Sequence, residues 1–583
     1  MTTSMTRRTV LRGGVAVGLA AGAAAATAGT AGADAGRASG HGRPRAFPVA
    51  RYGARPDDGR DDTHAIQRAI DAATAHRGPS VVAFERGTYT LTATEFEVLK
   101  VTGASNLTIR GATDRRGRPA TTLEVNLPLQ NKPPNGVHLS LLSCTDTTVE
   151  SLVLDYNPRF GTSGVIVSVD TANDAVEVDV FDGLPHFDGM RCYSANSWDI
   201  ATGRMHHVPA LTIGTGESTF TNTWTAVPGG EGRRYRIAGF GFTPYVSVGD
   251  GMNWHFGIDG PKNLQIIDCV DTRVENVDFP NAIGMCCLAG YNTNLTLRHI
   301  RIAPTNGALA VGPRDGFHLS NSRGTLVVDD FDAKGVRWDP LVLRSTLGEI
   351  TAVDGARRVS VLYPAGAVPM PYEPGDVVTF WSGDEPAERT VASVDRDDAG
   401  TTVTLDLDGD VPARAVVGST LTCSAHEWTT ATIRNSTFTD NFGTPLVIMN
   451  PHVTIEDCTF VDNAYQVIGL GTTSSGSGPF ARDITIRDNT FRSSGWIKKY
   501  PKHLASGAIT TLCNNGRFDL EAYNSDITIT DNVFEDMAEE PFQAAVEVRH
   551  ARRVHIAGNT YRNVSQRVVV DPATTGEITN EDG

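Results

Sequence analysis

The chain has 583 residues, with 67 acidic against 51 basic side chains and a formal net charge of −16 at pH 7. That balance argues against a nucleic-acid surface and against a polyanionic substrate, since both select for basic faces. Its eight cysteines include no paired C-x-x-C spacing of a zinc site, and isolated cysteines in β-rich sequence behave as small buried hydrophobes.

The first segment reads as an export signal covering 1–33. Thr6-Arg7-Arg8-Thr9-Val10-Leu11-Arg12 is a twin-arginine region, a weakly apolar Ala/Gly run follows over 13–26, and Ala31-Gly32-Ala33 offers small residues for cleavage. The run is too short and too Gly-rich to span a bilayer. The expectation is a secreted protein that crosses the membrane folded, with a net charge near −19 once the three arginines of this segment are gone. Residues 34–46, rich in Gly, Arg and Ala, read as a flexible leader.

Next comes Tyr52-Gly53-Ala54, an aspartate cluster at 57–62, and Ala65, Ile66, Ala69, Ile70 and Ala73 at helical spacing. This predicts a short amphipathic helix capped by Asp62 or Thr63. Capping and turn formation explain the aspartates better than catalysis does.

An internal repeat dominates the rest. It runs from Asn106-Leu107-Thr108-Ile109-Arg110-Gly111 through Ile484-Thr485-Ile486-Arg487-Asp488-Asn489-Thr490-Phe491 to Val554-His555-Ile556-Ala557-Gly558-Asn559-Thr560-Tyr561. Each copy is an alternating strand, a polar Asn/Asp/Gly corner and an apolar residue turned back inwards. One coil cannot bury its apolar face alone, so the pattern predicts a solenoid, an all-β right-handed parallel β-helix. The corner asparagines read as left-handed turn formers that also stack as amide ladders.

The repeat breaks twice, over 160–248 and 346–423. Short alternating strands with Gly/Pro punctuation predict a small β-barrel module in each place. The coil is expected over 47–159, 249–345 and 424–583. Each insert begins and ends within the coil pattern, so the two should wall a groove.

Two aspartates stand out between the inserts, Asp315 in Gly312-Pro313-Arg314-Asp315-Gly316-Phe317-His318 and Asp339 in Arg337-Trp338-Asp339-Pro340. They lie 24 residues apart, about one coil, on either side of the strand-like Gly324-Thr325-Leu326-Val327-Val328-Asp329. Asp-Gly and Asp-Pro are also ordinary turn pairs. Glycoside hydrolysis needs a carboxylic acid, a second carboxylate and an aromatic platform. Arg314, His318, Arg337 and Trp338 complete such a set as candidate sugar contacts. Asp155 and Trp254 join them, and His255, His426, Glu427 and Trp428 lie where they too could reach the groove. Glu547 and Arg549 read as ladder or solvated residues. No calcium loop and no nucleotide fingerprint is present.

The opening Tyr52-Gly53-Ala54 with its aspartates resembles the start of pectate-lyase-like β-helices, whose helix caps the open coil end. From Tyr52 to Asn563 the layout resembles glycoside hydrolase family 110, secreted exo-α-1,3-galactosidases. The matches are Asp155-Tyr156-Asn157-Pro158, the repeats over 276–304, Tyr372-Glu373-Pro374-Gly375-Asp376, Asp315-Gly316-Phe317-His318 and Trp338-Asp339-Pro340. The resemblance implies inverting hydrolysis without a metal or other cofactor, with Asp315 as acid and Asp339 as base. It also implies, as partner, an oligosaccharide or polysaccharide ending in an α-linked sugar, with no nucleic acid and no membrane. The family carries a second aspartate just before the base, and this chain has Trp338 there. Two other readings stay open: a polysaccharide lyase on the same fold, for which Arg337 is the candidate base, and a non-catalytic carbohydrate-binding solenoid.

Overall fold

Strands that alternate apolar and polar residues stack coil on coil, and each coil supplies the backbone partners its neighbour lacks. The computed structural model describes residues 43–131, 134–192, 194–206, 222–239, 241, 243–257, 260–305, 307–363, 370–397, 402–472, 477–497, 507–513, 522–538 and 544–583. The expected export segment and most of the leader lie outside these residues. The fold is an all-β, right-handed parallel β-helix. Among the described residues its faces form one sheet of twelve strands and one of twenty. No described helix is long and apolar enough to cross a membrane.

The coil begins earlier than its repeat suggests. Arg45–Pro48, partly inside the expected leader, is a strand paired in parallel with Ser80–Ala83. The helix Thr63–Thr74 turns Ala65, Ile66, Ala69, Ile70 and Ala73 into the core over this end. Asp62 takes the expected N-cap position, but its side chain makes no capping bond. Asp61 accepts the Thr63 N–H at 3.0 Å and the Thr63 hydroxyl at 2.5 Å, whereas Asp62 accepts the Arg55 N–H at 3.0 Å.

The repeat corners divide two tasks between adjacent residues. Asp457, Asp488 and Asp531 take left-handed φ values of 53°, 58° and 57°, which a short polar side chain tolerates. The next residue faces inward and builds the ladder. Asn489 Nδ2 donates to Asn532 Oδ1 at 3.0 Å, and Asn532 Nδ2 donates to Asn559 Oδ1 at 3.0 Å. Beyond each corner the inward aromatic continues the stack. Phe438, Phe460, Phe491, Phe534 and Tyr561 lie 5.1, 4.9, 4.9 and 5.3 Å apart in turn, with rings within 10° of parallel. All eight cysteines are buried and unbridged.

The two inserts differ from each other. Strands from Gly348–Val353 to Thr420–Cys423 close into a six-stranded barrel with its own apolar core. The first insert is a six-stranded sheet that does not close into a barrel among the described residues, which corrects the expected second barrel. It also runs further than 248, because Gly251–His255 pairs with Gly161–Asp170 and the coil resumes at Lys262–Ile267. The first insert rejoins just before a strand of the twelve-stranded sheet, and the barrel leaves just after another, Leu341–Thr346. The inserts therefore rise at opposite strand ends of that sheet and flank its face.

Candidate active site

The strands Cys287–Gly290, Phe317–Ser320, Leu341–Thr346 and Leu446–Ile448 follow one another across the twelve-stranded sheet. Phe317 pairs with Leu341, and Leu341 with Leu446. Asp315 and Asp339 each stand two residues before their strand, as does Thr444 on the coil after. The Gly316 N–H donates to the Asp339 carbonyl at 3.0 Å, and the Cys286 N–H donates to the Asp315 carbonyl at 3.2 Å. The aspartates thus occupy one ladder position on consecutive coils. Gly316 makes this packing possible, since a Cβ there would lie 2.4 Å from the Pro340 carbonyl oxygen.

Their carboxyl groups point to different partners. Asp315 Oδ2 lies 2.7 Å from His318 Nδ1, and Oδ1 makes no hydrogen bond of normal geometry. Burial on its own raises the Asp315 pKa. The hydrogen bond and charge of His318, with Arg314 and the Asp339 backbone N–H, outweigh it and hold the carboxyl below the ordinary range. Asp339 Oδ1 accepts the Thr444 N–H at 2.8 Å, toward the following coil. Both aspartates are buried, at 3% and 7% exposure.

His318 stands outward in the sheet, and Val342 and Val447 continue its row on the next two coils. With Met449 they form a buried apolar cluster separate from the coil interior. Arg344, outward on the Asp339 coil and paired with Ser320, donates to Ser477 Oγ at 2.9 Å. Burial lowers its pKa, while Asp315 and Tyr291 act against that shift. Sequence reasoning missed Arg344. Its signal was an arginine at an outward position of an otherwise apolar strand, Leu341-Val342-Leu343-Arg344.

The other candidates separate. Trp338 is half-buried beside Asp339, and its backbone carbonyl fills the space where a Gly443 Cβ would sit, 1.6 Å away. Arg314 is half-buried next to Asp315 and acts on it through charge. Arg337 turns away from the pair. Its guanidinium lies 4.4 Å from the Phe442 ring centroid, burial lowers its pKa to about 10, and its charge acts on His255 in the first insert. Trp254 is fully buried and stacked on Trp224 at 4.2 Å, so it belongs to the insert core and is no sugar platform. Asp155 accepts Asn281 Nδ2 at 3.2 Å and its neighbour's N–H at 2.8 Å, an anchoring role at the foot of the insert. Glu427 is buried in a different cleft of about 500 Å3, between the barrel and the corners at His452, Asp483 and Asp526. Burial pushes its carboxyl up to about 7.

Comparison with known proteins gives partial matches. Residues 421–579 match the family "Right handed beta helix region", and residues 46–121 match "Rhamnogalacturonase A/epimerase, pectate lyase-like". The chain is 25% identical to alpha-1,3-galactosidase B of Bacteroides thetaiotaomicron over 240 residues, which is 39% of this chain. It spans 38% of the length of that relative. Among solved structures, the A-module of an Azotobacter vinelandii mannuronan C-5 epimerase aligns with 92% of this chain and 100% of its own, at TM-score 0.42 and 12% identity. An exopolygalacturonase from Thermotoga maritima aligns over 93% and 94%, at TM-score 0.38 and 11% identity.

Proposed function

We propose that this protein is a secreted, exo-acting glycoside hydrolase that removes terminal α-linked galactose, α-1,3-linked in the first instance, from extracellular glycans. One observation carries the reading: Asp315 and Asp339 share a ladder position on consecutive coils of the sheet face flanked by both inserts. The partial match to an alpha-1,3-galactosidase supports the choice of sugar.

In this mechanism the His318–Asp315 couple holds the proton that the leaving glycosidic oxygen takes up. Asp339 accepts a proton from the attacking water on the opposite face of the sugar. Arg344 and Arg314 place positive charge near Asp315, which favours its carboxylate form within the couple. Ladder spacing alone separates stacked residues by about 4.8 Å. The Asp315 carboxyl lies by His318 and the Asp339 backbone N–H, and the Asp339 carboxyl leans toward Thr444. Inversion, which requires about 6.5–9.5 Å between carboxyls, rests on the family resemblance.

The lyase alternative loses its candidate base, because Arg337 packs on Phe442 away from the pair. A binding solenoid remains the second reading, and Trp338 in the place of an expected carboxylate favours it. The deciding experiment is a screen of terminal α-linked disaccharides with wild type, Asp315→Asn and Asp339→Asn. Full activity in both variants overturns the catalytic assignment. Glycan binding without turnover in the wild type selects the second reading.

A further inference from the structure

At the base of the barrel, three side chains from separate stretches converge. Asp376 precedes the strand Val377–Trp381, Cys423 ends the adjacent strand Thr420–Cys423, and His426 closes the short turn Ser424–His426. Strand pairing sets Val378 opposite Cys423, which brings Asp376 to the end of Cys423's strand. One ring nitrogen of His426, the Cys423 sulfur and one Asp376 carboxylate oxygen all lie within 4.8 Å of one another. Cys423 is fully buried and His426 is 8% exposed, while Asp376 is half-buried.

A simpler account covers only part of this. The Cys423 thiol lies 3.7 Å from Asp376 Oδ2 and donates toward it, and the same oxygen accepts the Glu373 N–H at 2.9 Å. Those contacts do not involve His426, whose buried Nδ1 makes no hydrogen bond of normal geometry although the Asn321 and Pro371 carbonyls lie near the ring. An unsatisfied ring nitrogen inside a protein is unfavourable. An ion that takes its lone pair removes that penalty.

We propose that Asp376, Cys423 and His426 bind one divalent transition-metal ion of the zinc type. Thiolate, imidazole and carboxylate together suit zinc, whereas calcium and magnesium take oxygen ligands. The thiol releases its proton to solvent on binding. The two anionic ligands then balance the dication, so the buried site carries no net charge. A water on the half-exposed Asp376 side completes four-coordination.

The location gives the ion a structural role independent of the hydrolase reading. The Tyr291 ring packs edge-on to His426 at 6.0 Å, and Asn321 Nδ2 donates to the Tyr291 hydroxyl at 3.1 Å. Asn321 follows the strand Phe317–Ser320, which carries His318. The ion therefore fixes His426, whose ring contact with Tyr291 reaches toward the coil of the Asp315–His318 couple. Such a site departs from the expectation of a chain without a metal. Sequence alone hides the set, because Asp376 is 47 residues from Cys423.

The test uses the full chain, purified without chelator, then stripped and titrated with cobalt(II). The expected result is saturation at one equivalent with a near-ultraviolet sulfur-to-cobalt charge-transfer band. Cys423→Ser abolishes the band, His426→Ala and Asp376→Asn weaken cobalt binding, and Cys458→Ser leaves it unchanged. Stripping lowers the melting temperature of the wild type, and zinc restores it. The proposal is overturned if stripped wild type shows no such band, or if the band survives in folded Cys423→Ser. Should Cys423→Ser fail to fold by circular dichroism, the wild-type titration and the zinc-dependent melting shift decide alone.

Discussion

Asp315 and His318 form a buried couple, with the carboxylate oxygen and the ring nitrogen 2.7 Å apart on the strand entry that faces the groove. Because the Asp315 pKa lies below its unfolded value, its stabilisation is present above the ordinary carboxylate range, about pH 4, and fades as pH falls through the lower folded value. His318→Ala removes the strongest of the interactions that hold the pKa down, and burial then opposes only Arg314 and the Asp339 N–H. The variant carries a poorly compensated buried charge near pH 7, a loss of about 1–3 kcal/mol. Urea unfolding should show that loss shrinking toward about pH 4, and a constant loss across this range contradicts the couple.

The acid and base roles predict different pH behaviour. Asp339→Asn should reduce kcat/KM by about 10^2–10^4 at every pH, since no other group accepts the water proton. Asp315→Asn should lose the basic limb of the profile together with comparable rate, with substrates bearing good leaving groups rescued most. Proton NMR of the first-released sugar should show inversion of the anomeric centre. Retention would mean that Asp339 swings away from Thr444 to attack the sugar directly.

Gly443 accommodates the Trp338 backbone, where a Cβ would meet the carbonyl oxygen at 1.6 Å. Gly443→Ala should lower stability by about 2–3 kcal/mol by forcing the Asp339 coil from its successor. Activity of the surviving folded fraction should fall as well, because the Thr444 N–H that holds Asp339 moves with it. Unchanged thermal melting sinks this prediction.

Asn532 sits at the centre of the amide ladder, bonded to Asn489 and Asn559 at 3.0 Å and to the Ile486 carbonyl at 3.0 Å. Asn532→Ala strands several of these partners and should cost about 2–4 kcal/mol. Hydrogen exchange should localise the loss to the neighbouring coils, with the barrel unaffected.

The fold was legible because its periodicity is repeated many times, and the corner polar residues mark each coil. The ladder position shared by Asp315 and Asp339 followed from their one-coil spacing. What stayed hidden depends on side-chain direction. Arg337 and Trp254 have the right chemistry for a sugar site, yet one packs on Phe442 and the other on Trp224. Arg344 was overlooked because a lone charge in a hydrophobic strand has no motif around it. The first insert read as a barrel because short alternating strands do not encode whether a sheet closes.

The unbridged thiols have a practical consequence. Apart from Cys423, the proposed metal ligand, seven sulfurs are sealed at points from Cys144 near the first coils to Cys513 near the last. Among the described residues no disulfide has to form for the fold to close. Each sulfur also becomes reactive only when its own stretch opens. Alkylation followed by peptide mapping would therefore record the order in which a stack of coils comes apart, and whether it peels from one end or parts in the middle.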